Sequence, residues 1–406
     1  MEHNDPAQSM RERLQKYLLE IIDDRRPGAA AKVVGSVLWA LSQVYGAAVR
    51  ARLGLYSLGI FRRRSLDCLT ISVGNITVGG SGKTPLVEAL AASLSEHGRK
   101  VAILSRGYKS KHPRRTRKAD AASASPPTVV SDGENVLLDP IHAGDEPYLL
   151  ATNLRKVPVL VDKNRVRAGE YAVSRLGADT LILDDGFQYL TIGHRLDFVL
   201  VDSANPFGNG HLLPRGILRE PLSRLKRAHC FFLTKTTDVS LQTIKEKLRA
   251  IKPNAAIIET VHQPLYFEDV TSGRRHSPEF ARGKTVYVLS AIARPESFER
   301  AIERLGSHIR KRVRFTDHHR FSPQEVERIL AEASADGVDC ILTTQKDAVR
   351  LPRLESTPVP ILFLRVVVRI TRGAADFAEC VSKICSTSGD LPRGSSQRRC
   401  ARNPEG

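Results

Sequence analysis

A chain of 406 residues is long enough for two or three domains, and a content of 41% hydrophobic and 26% charged residues supports a buried core and excludes wholesale disorder. The 62 Lys and Arg against 44 Asp and Glu leave a formal charge of +18, which points to a polyanionic partner (nucleic acid, an anionic membrane surface or a phosphorylated substrate) without choosing between them. Six cysteines, Cys68, Cys230, Cys340, Cys380, Cys385 and Cys400, form no CxxC pair and no Cys/His cluster of zinc spacing, so free thiols in a reducing compartment are expected.

Residues 1–32 read as a charged helix or loose leader without the compact apolar segment of a signal peptide. The longest uncharged run, Val33 to Val49, is marginal in length and too polar for a spanning helix. Val34, Leu38, Leu41, Tyr45 and Ala48 recur at helical spacing, with Trp39 beside them and Arg50, Arg52 and Arg62-Arg63-Arg64 following. Two readings stay open: a helix packed on the protein's own core, or an interfacial helix whose arginines face lipid phosphates.

From residue 69 strands alternate with helices. Leu69–Val73 predicts a strand, Lys83 to about Ser95 a helix, Lys100–Leu104 and Pro158–Val161 further strands, then a helix to about Leu176. Thr180–Leu183, Phe198–Asp202 and Cys230–Leu233 continue the set, implying a parallel sheet covered on both faces. Polar, turn-rich residues from about Gln263 to Gly283 predict a domain boundary. A smaller α/β set follows: strands Thr285–Leu289, Cys340–Leu342 and Pro360–Leu364, with helices near Glu296–Leu305 and Pro323–Ala335. The expected domains are 1–65 (leader and N-terminal helix), 66–265 (nucleotide binding and catalysis), 266–385 (the smaller α/β domain) and 386–406, a tail rich in Ser, Gly, Pro and Arg that reads as disordered. Arg106 to Lys118 holds seven Lys or Arg and no acid, as a solvated loop or a basic segment meeting an anionic surface.

The chemistry concentrates at Thr77-Val78-Gly79-Gly80-Ser81-Gly82-Lys83-Thr84, between a strand and a helix. That context is the one a Walker A loop requires: glycines turn backbone N–H groups around phosphates, Lys83 reaches the outer phosphates, Thr84 ligates Mg²⁺, and the helix N-terminus adds partial positive charge. Pro85 fits the first helical turn. Asp184-Asp185 closes an apolar strand as a Walker B pair should, although Asp185-Gly186 is also turn chemistry. Thr237 stands where a guanine-reading [NT]KxD signature needs Asp, and Val78 stands where cargo-partitioning ATPases carry Lys, so both classes are disfavoured.

Several motifs together resemble the tetraacyldisaccharide 4′-kinase family: Val73–Pro85 around the loop, Ser105-Arg106-Gly107-Tyr108, Gly144-Asp145-Glu146-Pro147, Leu183–Gln188, Leu213–Gly216 with Leu218–Pro221, Phe315–His319 and Thr343–Val349. They span about residues 33 to 351 in the family's order, and Thr77 at the loop's first position is typical of it. Lys109-Ser110 and Gln345 depart from the family pattern. The resemblance implies a P-loop sheet with a second smaller domain, and transfer of the ATP γ-phosphate to the 4′-hydroxyl of a tetraacyldisaccharide 1-phosphate with Mg²⁺. It also implies peripheral attachment to the cytoplasmic face of the inner membrane through the N-terminal helix, the anionic bilayer and glycolipid accounting for the charge.

The resemblance makes Asp145 the candidate general base, where the residues alone would read Asp145-Glu146-Pro147 as a helix start. It makes His318 its partner, with His319 the alternative, which requires the C-terminal domain to fold over the loop. Lys83 joins the catalytic set; Thr84, Asp184 and Asp185 are the metal candidates. Arg106 and Arg165 are candidate phosphate or substrate contacts, and Arg219 reads equally as an ion-pair partner of Glu220. A second class of function, a P-loop ATPase switching a protein or nucleic-acid partner, is compatible with the charge, but no helix-turn-helix, zinc finger or RRM pattern appears, so no nucleic acid is expected.

Overall fold

The structure is a computed structural model describing residues 14, 17–80, 82–107, 126–236 and 240–386. Ser81, Tyr108, most of the basic segment to Lys118, Thr237, Cys400, the tail from 387 and most of the leader's first sixteen residues lie outside the described residues.

The apolar runs become strands β1 (Leu69–Gly74), β2 (Val101–Ser105), β3 (Thr128–Ser131), β4 (Val159–Val161), β5 (Thr180–Asp184), β6 (Leu196–Asp202) and β7 (Cys230–Thr234). These are followed by β8 (Ala256–Asp269), β9 (Arg275–His276), β10 (Thr285–Ser290), β11 (His308–Arg314), β12 (Cys340–Thr344) and β13 (Ile361–Arg372). The helices are α1 (Ala29–Ser57), α2 (Lys83–Glu96), α3 (Pro140–Ala143), α4 (Asp145–Asn153), α5 (Arg165–Leu176), α6 (Gln242–Ile251), α7 (Pro295–Arg304), α8 (Pro323–Ala335), α9 (Gln345–Ala348) and α10 (Ala374–Ser386).

All thirteen strands belong to one sheet, ordered β11-β10-β12-β13-β8-β7-β6-β1-β5-β2-β4-β3 with β9 beside β8. The half from β7 to β4 is parallel, as is the half from β11 to β13. Between them β8 runs parallel to β7 and antiparallel to β13, so a two-stranded ribbon joins the halves where the sequence suggested a polar boundary. Pro264, which lacks an amide proton, falls where that ribbon's register shifts beside Val366, a place where the ladder tolerates it.

Both faces are covered where the central strands, such as β1, β2, β5 and β7, are buried on both sides. Leu69, Ile71 and Val73 of β1 pack with Leu86, Val87, Leu90 and Leu94 of α2, with Leu150 of α4 and with Val381 and Ile384 of α10. The opposite face is closed by α5 and α6. In the smaller half α7 and α8 cover opposite faces of β10, β12 and β13. A capping box between Ser322 and Glu325 starts α8.

Helix α1 meets both readings of its sequence halfway. Ala31, Ser42 and Gly46 are buried against the catalytic half, and Val34, Leu38 and Tyr45 are half-buried. Leu41, expected on the same stripe, is exposed together with Val33, Val37, Trp39 and Val44. Alone among the described helices, α1 is long and apolar enough to cross a membrane.

Candidate active site

The phosphate loop leaves β1 at Gly74, where a Cβ would lie 2.8 Å from the backbone nitrogen of Phe187, so only glycine lets the Asp184–Gln188 loop cross it. Gly82 takes φ +81° as the residue before α2. Thr77 is buried and bridges to Leu218, and the amide of Val78 donates to the Ile217 carbonyl at 2.8 Å. Gly79 has φ +110°. Lys235, itself at φ +58°, donates to the Gly80 carbonyl at 3.0 Å and to Asp202 at 2.8 Å. Asp202 also receives Arg294 of the smaller half at 2.8 Å. Lys83 Nζ lies 3.4 Å from Asn75 Oδ1 and 3.5 Å from Asp185 Oδ1, and Thr84 is half-buried in the first turn of α2.

Asp184 and Asp185 have different surroundings. Asp184 is buried at the end of β5; Ser105 donates to Oδ2 at 3.2 Å, and Oδ1 has no partner among the described residues. Burial, with Glu146 and Asp185 nearby, pushes its pKa up to about 6. Asp185, at φ +49°, is gripped by Arg219 at 2.9 and 3.1 Å. Burial works against its charge, but Lys83 and Arg219 prevail and hold its pKa low. Arg219 therefore pairs with Asp185, not with its neighbour Glu220. Arg165 is buried at the start of α5 and donates to the Asp185 carbonyl at 3.2 Å. Arg106 is exposed at the end of β2, near enough to Arg165 to lower that residue's pKa further after burial.

Asp145 opens α4 and faces the smaller half. Its Oδ1 accepts from Arg320 at 3.0 Å; its Oδ2 accepts from Arg350 Nε at 2.8 Å and lies 3.4 Å from His318 Nδ1. Burial alone would raise its pKa, but His318, Arg350 and Arg320 outweigh it and bring the value down to about 2. Arg350 also donates to His318 Nδ1 at 2.9 Å. One ring nitrogen cannot accept from a guanidinium and donate to a carboxylate together, so Arg350 and Asp145 compete for His318 Nδ1. His318 has φ +66°, a strained backbone of the kind that clusters at functional sites. His319 points elsewhere: it stacks on Phe315 and lies 3.0 Å from Glu325, the capping residue of α8.

Three residues that the motif reading passed over complete the junction. Arg350, with no exposed side-chain area, ties Asp145 to Asp347 and to the Ala291 carbonyl. Arg320 is the second cation on Asp145. Glu146 pairs with Lys346 at 3.0 Å, and after burial its pKa is governed by Lys346, Lys83 and His318, which puts the phosphate loop and the Asp145–His318 pair around one carboxylate. The Asp347-x-x-Arg350 spacing, one helical turn, was the available signal for Arg350. Gln345, the departure from the family pattern, exchanges amide bonds with Asn153 at 2.9 and 3.3 Å. Asn153 in turn binds Glu88 of α2, which pairs with Arg365 of β13.

Residues 34–386 match the LpxK family, described as tetraacyldisaccharide-1-P 4′-kinase. A tetraacyldisaccharide 4′-kinase of Halothermothrix orenii is 34% identical over 392 residues, covering 92% of this chain and 99% of its own. One of Anaeromyxobacter dehalogenans is 41% identical over 354 residues, covering 86% and 90%. The crystal structure of the Aquifex aeolicus LpxK in complex with ATP superposes with a TM-score of 0.66 at 27% identity, covering 86% of this chain and 99% of that one.

Proposed function

The chain belongs to the tetraacyldisaccharide-1-phosphate 4′-kinase family, and from that membership we propose how its residues divide the work of moving the γ-phosphate of ATP to the 4′-hydroxyl of a tetraacyldisaccharide 1-phosphate. The observation that carries the division is that the smaller half meets both ends: its His318, Arg320 and Arg350 contact Asp145, and its Arg294 shares Asp202 with Lys235, which holds the Gly80 carbonyl. Donor end and acceptor end therefore share one cleft between the two halves of the sheet.

At the donor end, Lys83 and the amides of Gly79, Gly80, Gly82 and Lys83 serve the phosphates; Ser81, of the same loop, lies outside the described residues. The Val78 amide is already committed to Ile217, so Thr77 and Val78 shape the loop from behind. Mg²⁺, when bound, neutralises charge on the phosphate oxygens. The residues fit it: Asp184 Oδ1 is a buried carboxylate oxygen with no hydrogen-bond partner among the described residues, and Thr84 stands at the head of α2. No cluster of three or more ligating side chains occurs among the described residues; Asp184 and Thr84 would hold the ion together with the phosphates of the nucleotide. Asp185 is spoken for by Lys83 and Arg219 and orients them.

At the acceptor end, Asp145 takes the hydroxyl proton. A carboxylate with a pKa near 2 is a weak base, which suits a loose phosphoryl-transfer transition state in which the nucleophile keeps its proton until late. Asp145 thus first aligns the hydroxyl and accepts the proton as the new P–O bond forms. His318 and Arg350 fix the carboxylate's orientation, and Arg165 and Arg106 reach toward the phosphates or the substrate.

The exposed side of α1, with Val33, Val37, Leu41 and Val44 along one edge and Trp39 along the other, lies in the bilayer surface on the cytoplasmic side of the inner membrane, and Arg62-Arg63-Arg64 follow it toward anionic headgroups. Incubation with radiolabelled ATP, Mg²⁺ and the disaccharide 1-phosphate lipid should yield labelled lipid. Phosphate release without labelled lipid would instead support the ATPase-switch reading. Trp39→Ser with Val37→Ser should weaken partition onto anionic vesicles; unchanged partition would remove the attachment role.

A further inference from the structure

Attachment to a bilayer needs only the exposed face of α1, yet the opposite face is built into the catalytic half. Gly46 approaches the 209–220 segment so closely that a Cβ would meet Leu212 Cδ1 at 2.9 Å. Beside it the Tyr45 hydroxyl donates to the backbone carbonyl of Arg219 at 2.9 Å. Two turns on, Arg52 Nη2 donates to the backbone carbonyl of Gln188 at 3.0 Å.

The two residues held in this way are the ones whose side chains converge on the phosphate site. Arg219 grips Asp185 at 2.9 and 3.1 Å and lies 3.5 Å from Gln188 Oε1. Gln188 Nε2 donates to the Asn75 carbonyl at 2.8 Å, and Asn75 Oδ1 receives Lys83 Nζ at 3.4 Å. The path from Tyr45 to Asp185 therefore runs through Arg219 alone, and the path from Arg52 to Lys83 through Gln188 and then Asn75, each held by its backbone and acting through its side chain. The helix itself is lightly held, with 11% of its most apolar window buried in the protein. An element with few buried contacts takes its position from whatever covers its free face.

We propose that Tyr45 and Arg52 are positioning residues that couple the seating of α1 on an anionic bilayer to the Mg·ATP site, making the membrane an activator of nucleotide binding as well as a place of attachment. The proposal rests on the attachment reading and not on the identity of the acceptor. Coupling between two sites is reciprocal: vesicles must raise ATP affinity by the same factor by which ATP raises vesicle affinity. Two hydrogen bonds of ordinary net strength, partly used, set that factor at about fivefold.

Trp39 is the only tryptophan in the chain and lies half-exposed on α1, so its emission reports seating directly. The experiment titrates the full-length protein with phosphatidylglycerol-containing vesicles, with and without Mg·ATP and without acceptor lipid, and measures radiolabelled ATP binding with and without vesicles. The wild type should show the same factor, about fivefold, in both directions. The double variant Tyr45→Phe/Arg52→Met should still seat and still bind ATP, with the factor reduced to about one. The factor is a ratio within each protein, so a change in basal affinity cancels.

Arg52→Lys, which keeps a donor, should recover part of it. Should the double variant fail to fold, Tyr45→Phe alone removes a single oxygen and should lose about half of the coupling free energy; full coupling in it overturns the proposal. A wild-type factor of one, with Trp39 responding to vesicles, overturns the coupling and leaves attachment standing. Absence of any Trp39 response removes both. None of these outcomes touches the kinase reading, which is decided by the labelled lipid.

Discussion

Asp145→Asn separates chemistry from architecture in a single atom. The substitution keeps the shape of the side chain and removes its charge from among His318, Arg320 and Arg350. The wild-type pKa falls from the usual 3.8 to about 2, and at about 1.4 kcal/mol per unit the folded state gains roughly 2.5 kcal/mol from that carboxylate at neutral pH. A depressed carboxylate pKa means the gain is present in full above about pH 4 and is lost as pH falls through about 2. Unfolding free energies of wild type and variant from denaturant titration should therefore differ by about 2.5 kcal/mol at pH 7 and converge toward pH 2. Removing a general base costs about 10²- to 10⁴-fold in kcat, while ATP affinity should change little because Asp145 does not touch Lys83. A variant with near-wild-type kcat would refute the base assignment, and a stability difference that persists unchanged to pH 2 would refute the electrostatic account.

Other outcomes follow from the same contacts. Arg320→Met removes the more exposed of the two guanidinium groups on Asp145, so the Asp145 pKa should rise and the acid limb of the pH–rate profile move upward; an unmoved limb would place another group there. His318→Ala should lower kcat, whereas His319→Ala should loosen the start of α8, lowering the unfolding free energy by about 1 kcal/mol with kcat intact; the reverse pattern would exchange their roles. Lys235→Met should raise the ATP dissociation constant about fivefold by releasing the Gly80 carbonyl, with kcat at saturating ATP preserved; unchanged affinity in calorimetry would reduce that contact to a surface ion pair. Asp184→Asn should raise the Mg²⁺ concentration needed for half-maximal rate, and an unchanged requirement would move the metal to other groups.

How much of this was legible in the sequence depended on how local the physics was. The phosphate loop could be read because strand, glycine turn and helix are contiguous, and each residue's conformation follows from its neighbours. Strand β11, His308–Arg314, could not: it is a charged sheet edge whose Arg310, Lys311, Arg312 and Arg314 are each paired with acids of α7 or the α8 region, so its alternation carries no apolar signal. The ribbon half of β8 hid behind Pro264 and a run of polar residues for a similar reason. The pairing of Asp145 with His318 came only through family resemblance, since 173 positions separate them. Arg350 escaped notice because a basic residue ending a short helix reads as solvated. Its burial is created by the turn from β12 into α9, where Thr344 accepts from the Asp347 amide and aims Asp347 at the arginine.

That burial gives the junction its character. The first turn of α4 carries Asp145 and Glu146, anions already favoured by the helix N-terminus. The smaller half brings His318, Arg320, Lys346 and Arg350 to meet them. One of the contacts between the halves is thus made from the groups proposed for the chemistry. A buried arginine is costly without its anion, so Arg350, paired on one side with Asp347 inside its own half, loses its second carboxylate whenever the cleft opens. With Asp145 as the proposed base, opening of the cleft would remove the contacts that orient its carboxylate, so closure of the smaller half and alignment of Asp145 would be one event. Water entering an open cleft would then meet an Asp145 not oriented for proton transfer, which would favour transfer to a sugar hydroxyl over ATP hydrolysis.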